Sequence, residues 1–367
     1  MQVFRPFILL SWQPLLCLLA LGALFGCSST SYSSISYYWQ ASVGHLKILS
    51  AARPVDDILE AQEGSPRLLS QLEYSRQIRA FSVERLHLPD NLSYRSYTDI
   101  HRTFPVWNVL AAPATSLELK KWCFPLLGCI SYKGFYSEED ARALASDLLS
   151  TKTLDVAVMG VPAYSTLGFT SDPLLSSFIY YPTGELARLI FHELSHQVVY
   201  IADDTTFNES FATAVEELGV AEWLALPGHE KLADEYRKFD SKRSYFRTLI
   251  AQTRSDLEAI YTSGQSEAEL LAQKAQRIEK LRVDYARTKA EQWGGWSGYD
   301  KYFNEDLNNA KLAVSGLYTD YVPAFKVMFE QSGRDYPTFY AAVKALGKKP
   351  KEERNQALQA ILMGLPS

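Results

Sequence analysis

Two histidines and a glutamate interrupt the apolar stretch LARLIFHELSHQVVY, residues 186 to 200. Helical spacing puts Leu186, Leu189, Ile190, Leu194 and Val198 on the core side, so His192, Glu193 and His196 need a chemical reason to be there. On a helix, histidines four residues apart project from one face a turn apart and can share a cation. Glu193 leaves the helix about 100° further round, where it can stand beside a water on the metal without ligating it. This is the HExxH spacing. Neutral imidazole suits zinc, and two of them leave positions for a third protein ligand and a water. The chain has 6 histidines in all, so a chance pair of core histidines satisfied by carbonyls is the weaker explanation.

A third ligand is available downstream in DDTTFNESFATAVEELG. Thr205 or Thr206 can cap a second helix that returns antiparallel to the first, with Glu209 in its opening turn facing the histidines. Glu216, two turns further on, is an outer carboxylate or an alternative ligand. With His192, His196 and Glu209 on Zn2+, Glu193 is positioned as general base for hydrolysis of an amide. An oxyanion donor is expected from GLYTDY, where Tyr318 is preferred to Tyr321, with Asn308 and Asn309 just before it. Either phenol could equally be a core or rim group. Gly160, Pro162 and Gly168 make GVPAYSTLGF a poor core strand, and a glycine-rich edge lets a substrate backbone approach. Gly160, Pro162, Ala163, Tyr164 and Asn309 are therefore the candidate substrate contacts, against the plainer reading of an ordinary loop.

Elements that could hold this site are read from periodicity. Apolar and charged residues alternate at helical spacing from Ile35 to Leu88, punctuated by Pro54, Gly64 and Pro89. Tyr94 to Gly134 is aromatic, β-branched and rich in Pro and Gly, as short strands and loops are. Ser137 with an acidic residue three later opens a helix, and LDVAVMG comes next as a short buried strand. Residues 230 to 292 read as an antiparallel helical hairpin that turns at Gly264 and restarts at Ser266 with Glu269. Its charge runs are expected to be solvated faces, and Tyr236, Tyr245, Phe246 and Tyr285 its packed seam. The fold class is α+β, mostly helical. At 367 residues, 47% hydrophobic and 22% charged, the chain is long enough for a large core. A net charge of −5 gives no basic field for nucleic acid, and that class is set aside.

The opening MQVFRPFILLSWQPLLCLLALGALFGCSST has the layout of a signal peptide. Its end, LFGC, resembles a bacterial lipobox, with Phe25 standing where a small residue is usual. Residues 1–26 are expected to be removed, Cys27 to be lipidated, and residues 27–36 to form a Ser-rich tether ahead of a domain spanning 37–367. A single transmembrane anchor is the alternative. Ser28, rather than an aspartate, after the cysteine implies an outer membrane location with the body facing the periplasm. Cys123 and Cys129, an even pair in an oxidising compartment, point to a disulfide. A zinc site there would want two more ligands than the loop offers.

The segment NESFA resembles the third-ligand segment of gluzincins such as thermolysin-like enzymes and related aminopeptidases, at a shorter distance from HExxH than in those families. Together CFPLLGCISYKGFY, LDVAVMGVPAYSTLGFTSDPLL, ELARLIFHELSHQ, FNESFATAVE and YFNEDLNNAKLAVSGLYTDYVPAF are similar to the predicted aminopeptidases found as lipoproteins in Gram-negative bacteria. The similarity runs over nearly the whole mature chain. It implies a zincin-like metallopeptidase core and a zinc aminopeptidase acting on peptides at the cell envelope. The rival classes are an amidase or endopeptidase on peptidoglycan or other amides, and a non-catalytic binding module of an envelope assembly.

Overall fold

The computed structural model describes residues 34–124, 128–317 and 320–364. The expected signal peptide, Cys27 and Tyr318 lie outside these residues. Helix α1 (Ser34–Ser50) begins inside the stretch assigned to the tether, whose residues Ser34 to Ser36 are already helical. Next come β1 (Arg53–Pro54), α2 (Val55–Glu60), α3 (Pro66–Glu84) and β2 (Ser96–Thr98). Ser65 caps α3 by accepting from the amide of Leu68, with Pro66 at the first helical position, where its missing N–H is not needed.

The expected run of short strands is present as β3 (Val106–Pro113), β4 (Trp122–Phe124), β5 (Gly128–Ile130) and β6 (Lys133–Phe135). Then come α4 (Glu138–Ser150), β7 (Leu154–Val161) and β8 (Leu174–Leu175). Ser137 caps α4 as its sequence suggests. Strand β3 is the middle of a three-stranded sheet of order β6-β3-β7, antiparallel to both neighbours, and pairs with β7 from Val106 opposite Val161 to Pro113 opposite Leu154. Side chains alternate across a strand. Val109 and Ala111 therefore pack with Phe135 and Val156 beneath Ala141 and Ala145 of α4, while Leu110 and Ala112 face the other way toward Ala310 and Ala313. A small second sheet, β1-β2-β8, lies against the largest core. In the β4-β5 hairpin Cys123 stands opposite Cys129, and the two are joined in a disulfide.

Two helices form the centre of the largest core, α5 (Thr183–Ser195) and α6 (Thr205–Leu224). On α5, Leu186, Ile190, Phe191 and Leu194 are wholly buried, each contributing about 1.5–3 kcal/mol by leaving water. Gly219 of α6 lets the pair approach, because a Cβ there would meet Leu86 Cδ1 at 2.5 Å and Phe191 Cδ2 at 3.0 Å.

The helical hairpin is α7 (Glu230–Tyr261) and α8 (Glu267–Glu291), and α8 starts with a complete Ser266–Glu269 capping box. Phe246 and Tyr285 do sit in its aromatic seam, with the Tyr285 ring stacked on Phe303 at 3.9 Å between centroids. Tyr236 instead packs on the main core, where Gly184 makes room for its ring. Helices α9 (Asp300–Asn304), α10 (Asn309–Leu317), α11 (Val322–Gln331), α12 (Tyr336–Gly347) and α13 (Lys351–Leu362) complete the described fold. Among the described residues no helix is long and apolar enough to cross a membrane.

Candidate metal centre

Helix α5 ends at Ser195, sooner than its apolar pattern suggests, and His196 is its C-cap in helical conformation. The imidazoles of His192 and His196 still leave one side, with ring centroids 4.9 Å apart and planes at 85°. The chain then turns and runs to Ile201, where α6 holds it. The Asn208 side chain accepts from the Ile201 amide and donates to the Ile201 carbonyl, both at 2.8 Å. That clamp fixes the connection between the two helices. The N-cap of α6 is Asp204 rather than the expected Thr205 or Thr206: its carboxylate accepts from the Phe207 amide and is held by Arg354 at 2.7 Å.

With the connection fixed, Glu209 faces both histidines. Its Oε2 lies 3.2 Å from His192 Nε2 and 3.8 Å from His196 Nε2. One ligand atom from each of the three residues falls within 4.8 Å of the others. Glu216, on one helical face with Glu209, takes the other side of the same ring, 2.9 Å from His192 Nδ1. Its second oxygen forms an ion pair at 2.6 Å with Arg188, one turn before His192 on α5. A carboxylate on the non-ligating nitrogen fixes ring orientation and tautomer in metal sites.

The electrostatics fit a cation. Burial pulls the His192 pKa down, but hydrogen bonding to Glu209 and Glu216 outweighs it and holds the imidazole well above its usual range. Both ring nitrogens thus face carboxylates, an arrangement that favours the protonated ring. Burial lowers the His196 pKa to about 4, leaving that ring neutral and able to ligate. For Glu209, burial alone would raise the pKa, and the two imidazoles reverse the direction. Glu216 behaves likewise: burial would raise it, and the Arg188 charge is the chief cause of its lowering. A divalent ion would replace the His192 proton, the exchange expected of a site whose ligands must be deprotonated. His196 Nδ1 is buried and has no hydrogen-bond partner among the described residues.

Glu193 stands outside that donor set. Burial raises its carboxyl to about 7, in the range useful to a general base. The Ser165 hydroxyl donates to the Glu193 carbonyl at 3.4 Å, so the loop after β7 does rest against the histidine helix. Gly160 lies in β7 opposite Trp107, and a Cβ on it would enter the Phe104 ring. The Pro162 carbonyl accepts from Ser177 at 2.6 Å, Ala163 packs on the main core, and the Tyr164 hydroxyl meets His45 Nδ1 at 2.8 Å. These contacts fix the loop, and they leave Ala163 and the Tyr164 hydroxyl engaged internally. Asn309 is not brought to the cluster. It is fully buried, its amide donates to the carbonyls of Pro113 and Ala114, and its oxygen accepts from Tyr261. It ties α10 to the end of β3 and to α7, with no open group to offer a substrate. Tyr321 packs on the main core, its amide donating to Ser210.

One residue the sequence does not single out is Tyr132, just after β5. Burial raises its phenol far above the usual range, and the charges of Glu209 and Glu193 add to the effect. Its ring packs with Leu110, Ala112 and Ala313. No local signal marks it, because it lies in the short connection between β5 and β6 and comes near Glu209 only through the fold.

No curated protein and no solved structure matches the chain. A family model described as "Putative aminopeptidase" matches residues 36–358, a span that holds every helix and strand around the histidine and glutamate cluster, and the chain belongs to that family.

Proposed function

We propose that the chain is a zinc-dependent aminopeptidase of zincin-like core, held at the bacterial cell envelope by a lipid on Cys27 and facing the periplasm. The observation that carries the metal reading is the convergence of His192 Nε2 and His196 Nε2 on Glu209 Oε2, a set of two imidazoles and one carboxylate that matches the preference of a catalytic zinc. The peptidase reading is supported by the family to which the chain belongs. When bound, zinc would polarise a peptide carbonyl and lower the pKa of a water toward neutrality.

The chain's own groups account for the rest. Glu193 takes a proton from the attacking water and passes it to the leaving amine. Glu216 holds His192 through Nδ1 and is itself held by Arg188. Tyr132, and Tyr318 outside the described residues, are the phenols to test as donors to the oxyanion. The loop from Gly160 to Tyr164, resting on α5 through Ser165, forms a wall of the substrate cleft.

The test is metal content and hydrolysis measured together. Wild-type protein is expected to hold about one zinc per chain, His196→Ala to lose it, and Glu193→Gln to keep it while losing cleavage of peptides with free N-termini. Equal zinc in wild type and His196→Ala would overturn the site. Cleavage of N-blocked peptides alone would replace the aminopeptidase with an endopeptidase or amidase.

A further inference from the structure

Three arginines on α7 that look like part of a solvated charge run turn inward. Arg243 is 7% exposed, and the side chains of Arg247 and Arg254 are 29% and 19% exposed. With Arg188 of α5 they line a single pocket of about 230 Å³, completed by Phe246, Tyr299 and Ser315 of α10. The carboxylates that balance these charges do not line it. Arg243 is paired with Glu185 and Asp240, Arg188 with Glu216, and Arg247 with Glu217. Among the described residues Arg254 has only Asp320, at 3.6 Å. No acidic residue among them lines the pocket, whose charged groups are the four guanidinium groups alone.

Two donors are left over. Arg188 Nε and Arg254 Nε are buried and have no hydrogen-bond partner among the described residues. A buried donor without an acceptor costs about 1–3 kcal/mol and calls for an explanation. Guanidinium groups present planar forks that match an oxyanion, and the pocket is smaller than the roughly 300 Å³ at which drug-sized ligand sites begin. We infer that this pocket is a binding site for a small oxyanion, of the phosphate or carboxylate class, taken up by Arg188, Arg247 and Arg254 on the far side of Glu216 from His192. Arg188 is shared, since the guanidinium that would meet the anion also holds the carboxylate that orients His192. Occupancy would therefore be felt at the metal-facing ring.

The experiment uses metal-free, full-length protein at fixed ionic strength, so that its failure and the failure of the zinc reading are separate results. Inorganic phosphate and succinate are titrated by calorimetry into wild type, Arg254→Ala, Arg254→Lys and Arg334→Ala. The last removes an exposed arginine paired with Glu330 on another helix. Saturable binding to wild type is expected, weakened about 10- to 100-fold in Arg254→Ala, as for loss of a charge-assisted hydrogen bond, and unchanged in Arg334→Ala. Arg254→Lys keeps the charge but removes Nε, and is expected to weaken binding as well, which preserves the test if the alanine variant does not fold. Preference for phosphate or for succinate identifies the class. The inference falls if neither anion binds wild type saturably, or if both Arg254 variants bind as wild type does.

Discussion

Replacing Glu216 by glutamine separates an orienting carboxylate from a mere ion-pair partner. One Glu216 oxygen accepts from His192 Nδ1 at 2.9 Å and the other faces Arg188 Nη2 at 2.6 Å, in a side chain 1% exposed. Glutamine keeps the shape and one acceptor, but its NH2 must face the second donor, so one contact turns repulsive. The next carboxylate for Arg188 is Glu185, 3.7 Å away and already bonded to Arg243 at 2.6 Å. Breaking one side of a buried pair costs about 3–5 kcal/mol. Arg188 is 23% exposed, which places the expectation near the lower end, about 3 kcal/mol. At about 2–4 °C per kcal/mol for a large domain, the metal-free protein should melt about 6–12 °C lower. The His192 ring loses its anchor at the same time, and zinc affinity should fall about 10- to 100-fold. Calorimetric melting gives the first number and competition with a chromogenic chelator the second. Glu217→Gln is the control, because Glu217 pairs with Arg247 and Lys326. If Glu216→Gln melts early yet binds zinc within about threefold of wild type, orientation of His192 by Glu216 is refuted.

Asp172 gives a pH dependence that does not involve the metal. Burial pushes its carboxyl from 3.8 up to about 6, so the folded chain keeps a proton that the unfolded chain has already released. The stability this confers is complete below about pH 4 and is lost as pH rises through 6. The stability of wild type minus that of Asp172→Asn should thus fall by about 2–3 kcal/mol between pH 4 and pH 7 in urea titrations, and a flat difference would contradict it. Gly44→Ala should destabilise by about 1–3 kcal/mol despite the better helix propensity of alanine, because the new methyl group would enter the Tyr136 ring. A denaturation midpoint equal to wild type would show that α1 is not seated there. Cys27→Ser should leave a precursor that takes up no labelled palmitate while wild type does. A wild-type chain that keeps residues 1–26 unlabelled would make the segment a transmembrane anchor.

What can be read from the sequence is what depends on neighbours along the chain. The His192–His196 spacing, the caps at Ser137 and Ser266, and the turn at Gly264 are local patterns, and each appears in the structure as the residues suggest. Glu209 is within reach because it opens the next helix. The misreadings share a cause. Helix α5 stops at Ser195 and the connection after it is gripped at Ile201 by Asn208 of another helix, and apolar periodicity carries no record of such a grip. Asn309 resembles a substrate contact because it precedes the tyrosines, whereas the ends of β3 and α7 consume its amide. Tyr132 comes near Glu209 only through the fold.

The arginines of α7 are the clearest case. On a long charged helix, solvation is the right default, and a guanidinium turns inward only where carboxylates from other elements meet it. For Arg243 and Arg247 those carboxylates are Glu185 on α5 and Glu216 and Glu217 on α6, the same two helices that carry the candidate metal ligands. Glu209 and Glu216 lie two turns apart on α6 and bracket the two nitrogens of one His192 ring. One residue of that bracket also faces His196 and the other faces Arg188. Hence the arginine wall and the histidine site are two sides of a single helix pair: the Glu216 charge beside His192 is stabilised first by Arg188 of α5 and then by Arg247 of α7. Removing the hairpin's arginines should then loosen the metal site from behind, even though none of them touches a ligand.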